Sequence, residues 1–142
     1  MKVGHKPQRT SDSQHSPAGG VAGIRVAGKI RVLNNEFVGT SLRKRGPPNN
    51  AIWALPGSAV TMTANKIHGW RHGLHATGTS VSANNNTVSD FHSSAFVIQN
   101  STSPANIHDN IAISPNPNDK AVSISGKAGI VNKNELVGEL NQ

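Results

Sequence analysis

Seven histidines and seven acids hold most of the chemistry available to this chain of 142 residues. Three of the histidines fall close together in His68-x-x-x-His72-x-x-His75, with Trp70 and Arg71 between them. A run of imidazoles invites a zinc reading, because tetrahedral zinc accepts nitrogen ligands. The rings would have to converge, and the strand pattern described below places His68 and His75 on different faces. No metal is therefore expected. The acids are Asp12, Glu36, Asp90, Asp109, Asp119, Glu135 and Glu139. Calcium needs clustered oxygen ligands, and glycoside hydrolysis needs two carboxylates roughly 5–9.5 Å apart. The scattered acids offer neither. Asp90 and Asp119, in consecutive loops, come nearest to a pair. There is no cysteine, hence no disulfide framework or thiolate metal site.

Fourteen Lys and Arg against seven Asp and Glu give a net charge of +7, which favours anionic partners such as acidic polysaccharide, nucleic acid or a membrane surface. No nucleic-acid module is recognisable, so nucleic acid rests on charge alone. No apolar run is long enough for a transmembrane helix, and the start, Met1 to Pro7, does not read as a secretory signal. A cytoplasmic or particle-associated protein is the expectation. Residues 1–20, basic and nearly devoid of apolar side chains, read as a flexible arm before a single domain at 21–142. Apolar content of 35% and aromatic content of 4% are low for one central core, but a solenoid tolerates them.

The element that must position the reactive residues is a repeat anchored on asparagine. Asn35, Asn65, Asn86, Asn110 and Asn134 stand 30, 21, 24 and 24 residues apart, and a period in this range signals stacked coils. Upstream of each anchor lies an apolar-x-apolar strand: Ile24-Arg25-Val26, Ile52-Trp53-Ala54, Leu74-His75-Ala76, Phe96-Val97-Ile98 and Val122-Ser123-Ile124. A second strand precedes the asparagine, as in Val60-Thr61-Met62. A third follows it, with Phe37, Ile67, Val88, Ala112 and Leu136 facing inward. Period-two alternation puts the flanking residues of the first two strands inside and the middle residue outside. The fold class expected is all-β: a solenoid of about five coils, three short strands each, with an asparagine ladder at one turn. Asparagine also tolerates the left-handed backbone of a tight turn, and stacked amides can bond from coil to coil.

This pattern resembles the right-handed parallel β-helix repeat of the pectin-lyase-like superfamily, which includes pectate lyases, polygalacturonases, alginate epimerases and phage tailspikes. The resemblance spans roughly residues 21 to 140 and speaks to fold more than to activity. It implies a groove along the outward face of the first strands. Repeat alignment brings Arg25, Trp53, His75, Val97 and Ser123 there, with Trp70, Arg71 and His92 in the loops leading in and the basic loop Arg43, Lys44 and Arg45 beside them. Tryptophan faces and cations suit a uronate polymer. The expected ligand-binding set is therefore Arg25, Trp53, Trp70, Arg71, His75, His92, Arg43, Lys44 and Arg45. The plainer reading of both tryptophans is packing against the long loop after the first coil. Catalytic motifs of the hydrolases and epimerases are missing. A metal-independent β-elimination would use Arg71 or Arg25 to neutralise the uronate and His75, His72 or His92 as base.

Three functions are thus expected in competition. The leading one is a non-catalytic module that binds acidic polysaccharide or serves a structural role. The others are a virion spike or decoration component, and a fragment of a polysaccharide lyase or epimerase. Neither end shows a cap in the sequence, so a homo-oligomer or a covering partner is expected at the coil ends. No cofactor is called for.

Overall fold

In a computed structural model, which describes residues 2–4, 21–40 and 49–138, the chain forms a parallel β-solenoid. A short strand, β1 (Lys2–Gly4), comes first. The next coils run β2 (Val21–Val26), β3 (Lys29–Leu33), β4 (Glu36–Val38), then β5 (Asn49–Ala54), β6 (Ala59–Thr63), β7 (Lys66–His68), then β8 (His72–Thr77), β9 (Ser80–Asn84), β10 (Thr87–Ser89). In the last two coils the first and second strands merge into β11 (Ser94–His108) and β13 (Lys120–Asn132), followed by β12 (Ile111–Ile113) and β14 (Glu135–Val137). The five anchors bound about four full turns. The third strands form one sheet, β1-β4-β7-β10-β12-β14, and the first and second strands form the other. Of the expected N-terminal arm, Lys2–Gly4 pairs in parallel with β4. The rest of the arm lies outside the described residues.

Alternation decides what is buried. Ile52, Leu74, Phe96 and Ile98 from the first strands are fully buried, as are Met62, Ala83 and Ile107 from the second and Phe37 and Ala112 from the third. These residues stack coil on coil into one narrow core. Burial thins at the last coil, where Val122, Ile124 and Leu136 are only partly covered. Close backbone approach explains one glycine: a Cβ on Gly39 would sit 2.3 Å from the Gly69 carbonyl oxygen and 3.1 Å from the Trp70 ring.

The asparagine ladder runs amide to amide from Asn65 to Asn134, and Asn35 joins it through its backbone N–H, which donates to Asn65 Oδ1 at 2.8 Å. Each side-chain oxygen accepts from the preceding coil: Asn65 Nδ2 donates to Asn86 Oδ1 at 2.9 Å, Asn86 Nδ2 to Asn110 Oδ1 at 3.0 Å, and Asn110 Nδ2 to Asn134 Oδ1 at 2.9 Å. The same oxygens accept the backbone N–H of the preceding anchor, as with Asn65 N–H to Asn86 Oδ1 at 2.9 Å. The second amide hydrogen reaches back to a carbonyl, Asn65 to Val32 and Asn86 to Met62. One expectation needs correcting. The left-handed residue is not the ladder asparagine but the one before it: Asn34, Ala64, Asn85, Asp109 and Lys133 have φ between 56° and 59°. The anchor is chosen for its carboxamide, which the buried turn requires. Its neighbour carries the backbone twist, and Ala64 and Lys133 do so without the local hydrogen bonding that makes Asn and Asp tolerant.

Candidate functional site

Register assembles the outward row. Arg25 pairs with Trp53, Trp53 with His75, His75 with Val97, and Val97 with Ser123, so one side chain per coil stands in line at the ~4.8 Å strand spacing. The Arg25 guanidinium lies 5.3 Å from the centroid of the half-buried Trp53 ring. A cation over an indole face is held by the ring quadrupole. It keeps a charge and an aromatic edge together at the N-terminal end of the row.

A second cluster sits at the start of β8. The His72 and His75 rings meet edge to face with centroids 5.9 Å apart. His72 Nδ1–H donates to the Ser94 carbonyl at 2.7 Å, which leaves Nε2 as the acceptor of the neutral ring. Burial pushes the His72 pKa down to about 4, and the neighbouring charges of His75, Arg71 and His92 push the same way, against the opposing effect of the Ser94 bond. His72 is therefore neutral at pH 7. Arg71 is held by its backbone, its N–H donating to the Asn49 carbonyl at 2.7 Å. The Arg71 carbonyl accepts the His92 N–H at 2.9 Å, which ties the two loops together.

The predicted ligand set is thus divided. Arg25, Trp53 and His75 share the row, with Arg71 beside it, while His92, bonded through its N–H to the Arg71 carbonyl, lines the cleft between the loops that follow β10 and β12. Trp70 does not present itself to a ligand: it is 1% exposed and belongs to the core. The packing alternative holds for Trp70, whose ring fills the space that glycine leaves at position 39. Arg43, Lys44 and Arg45 lie outside the described residues. His68 sits on β7 and His75 on β8, in different sheets.

A separate cleft of about 860 Å³ opens over the sheet of third strands, between the loops that follow β10 and β12. Asp90 and Asp119 both line it, one from each loop. Asp119 Oδ2 accepts the Ser114 hydroxyl at 2.5 Å. His68 and Ser89 also line it and are bonded to each other, Ser89 Oγ to His68 Nδ1 at 2.9 Å. The sequence pattern marks His68 only as a zinc candidate and gives Ser89 no role. The repeat could have found the pair: Lys66-Ile67-His68 and Thr87-Val88-Ser89 occupy the same place in successive coils.

No family model, curated protein or solved structure matches this chain.

Proposed function

We propose that the chain is a binding module for acidic polysaccharide, read along the Arg25–Trp53–His75 row with Arg71 at its flank. The observation that carries this reading is the Arg25 guanidinium over the Trp53 ring, 5.3 Å from its centroid, at the head of an in-register row. A sugar ring can stack where an indole stands half clear of the surface, and a uronate carboxylate pairs with a guanidinium. Net charge of +7 adds long-range attraction for a polyanion. The resemblance to the pectin-lyase-like superfamily points to the same face. Turnover is less favoured, because a base with a pKa of about 4, as at His72, is poorly matched to removing a sugar proton near neutral pH.

Binding is measured by titrating polygalacturonate into the protein and following tryptophan fluorescence, with dextran as the uncharged control. Trp53, not the buried Trp70, is expected to report. Trp53→Ala combined with Arg25→Ala weakens binding roughly tenfold or more, about the loss of one stacked, charge-assisted contact. Binding is also expected to weaken with added salt. Equal affinity in the double variant, or equal affinity for dextran, would remove the row from the reading.

A second reading is a structural role through self-association, favoured by the last coil. There Ile130 is 55% exposed and a recess of about 360 Å³ opens beside Lys120 and Lys133. A second copy seated on this coil would cover the apolar side chains and the edge of β13 that pairs with no other described strand. It would also bring like lysines together. Mass measured by light scattering is then expected to rise above monomer, and to rise further with salt, which screens that repulsion. A monomer at all concentrations and salt levels would rule this reading out.

A further inference from the structure

We infer that the cleft over the third-strand sheet is a site of nucleophilic acyl transfer, with Ser89 as nucleophile, His68 as general base and Asp90 as the positioning residue for the imidazole. Its substrate class is a small, uncharged O-acyl ester. This goes beyond the glycan-binding reading and does not depend on it.

The starting point is register. β7 and β10 are parallel neighbours that place His68 opposite Ser89, and the hydroxyl meets Nδ1 at 2.9 Å. A serine–histidine pair on adjacent strands is by itself an ordinary polar contact. Here the ring is also approached from its other side. Asp90 follows β10 in the left-handed conformation, φ 54°, and its Oδ2 lies 3.8 Å from His68 Nε2. One nitrogen faces a hydroxyl and the other a carboxylate, which is the arrangement nucleophile activation needs. At 3.8 Å the carboxylate acts by charge rather than through a formed hydrogen bond, and such contacts commonly tighten when substrate binds. A second left-handed residue, Ser93 at φ 63°, lies in the same loop.

The surroundings fit a ligand. The cleft volume of about 860 Å³ lies within the roughly 300–1,000 Å³ typical of small-molecule sites. Phe91, Ile113 and Pro115 give it an apolar lining. Asp90 and Asp119 line it, and among the described residues no lysine or arginine does, so the cleft favours a neutral ester over a carboxylate or phosphate.

The chemistry balances with water as the only co-reactant. The neutral His68 ring carries its proton on Nε2, toward Asp90. Ser89 Oγ attacks the ester carbonyl carbon and gives its proton to His68 Nδ1. The imidazolium passes that proton to the departing alkoxide oxygen, so an alcohol leaves and the acyl group stays on Oγ. Water then gives a proton to Nδ1 and attacks the acyl carbon. The proton returns to Ser89 Oγ as the carboxylic acid leaves.

The full chain is incubated with p-nitrophenyl acetate, quenched in acid and mapped by peptide mass spectrometry. Acetylation is expected on Ser89, and His68→Gln slows it about 10²-fold or more. Ser89→Ala abolishes the Ser89-dependent release of nitrophenol, and Ser89→Cys moves the acetyl group to sulfur. Asp90→Asn slows acylation and Asp90→Glu restores it, a pattern that a purely structural carboxylate would not give. The five variants change three positions, His68, Ser89 and Asp90, none of them buried, and melting curves check that each variant is folded. Acetyl groups confined to lysines, or Ser89 acetylated as fast in His68→Gln as in the parent, would overturn the assignment.

Discussion

Replacing Asn86 with alanine is expected to cost about 3–5 kcal/mol of unfolding free energy, as much as a severe core truncation. Asn86 is 1% exposed at the centre of the ladder. Its Oδ1 accepts two hydrogen bonds from Asn65, one from the backbone N–H and one from Nδ2, both at 2.9 Å. Its Nδ2 serves the Met62 and Asn84 carbonyls and Asn110 Oδ1. Alanine removes the acceptor and leaves two buried donors on Asn65 without it, at about 1–3 kcal/mol each. Asn134→Ala is the internal control. Asn134 is half-buried at the last coil, where solvent can reach its partners, so a loss of about 1 kcal/mol is expected. Urea unfolding of both variants beside the parent measures the difference. Equal, small losses would mean the carboxamides decorate the turn rather than hold it.

The ladder also shows what could be read from the sequence. A carboxamide recurring every two dozen residues at a turn is visible as a string because stacking demands the same donor and acceptor in every coil. The inward positions Phe37, Ile67, Val88 and Ala112 were legible for the same reason: a shared core imposes period-two alternation in each strand. The left-handed residue was not. The backbone twist falls on Asn34, Ala64, Asn85, Asp109 and Lys133, five positions with four residue types and no common side-chain signal. For Trp70 the packing reading matches its burial, but the contact that seats it was not legible. The residue lies in a loop whose direction depends on the close meeting of Gly39 and Gly69, and that contact is 30 residues long-range. The outward row was legible in its membership, since repeat alignment and strand register coincide. The Arg25–Trp53 stacking and the His72–His75 contact were not, because rotamers and loop paths decide them. The cleft was the least legible part. It is made by two irregular loops, and its Ser89–His68–Asp90 geometry rests on a turn at Asp90 that no alternation predicts.

The histidine at the start of β8 leads to a pH dependence. Folding lowers the His72 pKa from the ordinary 6.5 to about 4, mainly by burial. The unfolded chain therefore binds the extra proton first. Between pH 6.5 and 4 the unfolded state holds more protons at this site than the folded one, so stability rises with pH across that window and is lost as pH falls through it. Above pH 6.5 the ring is neutral in both states and contributes no slope. The full effect, reached near pH 4, is about 2–3 kcal/mol once partial exposure is allowed for. His72→Gln keeps a donor for the Ser94 carbonyl but cannot take up the proton. Its unfolding free energy is expected to match the parent within about 1 kcal/mol at pH 7.5 and to fall less steeply toward pH 4.5. Parallel curves for parent and variant would show that the folded state accepts the His72 proton as readily as the unfolded chain does. The same shift bears on the binding row. With His72 neutral at pH 7, the fixed charge near His75 comes from Arg71 and Arg25, so polyanion binding at neutral pH does not require imidazolium at position 72. Protonating His72 would add a cation beside Arg71 only at the acidity where the coil begins to lose its stability.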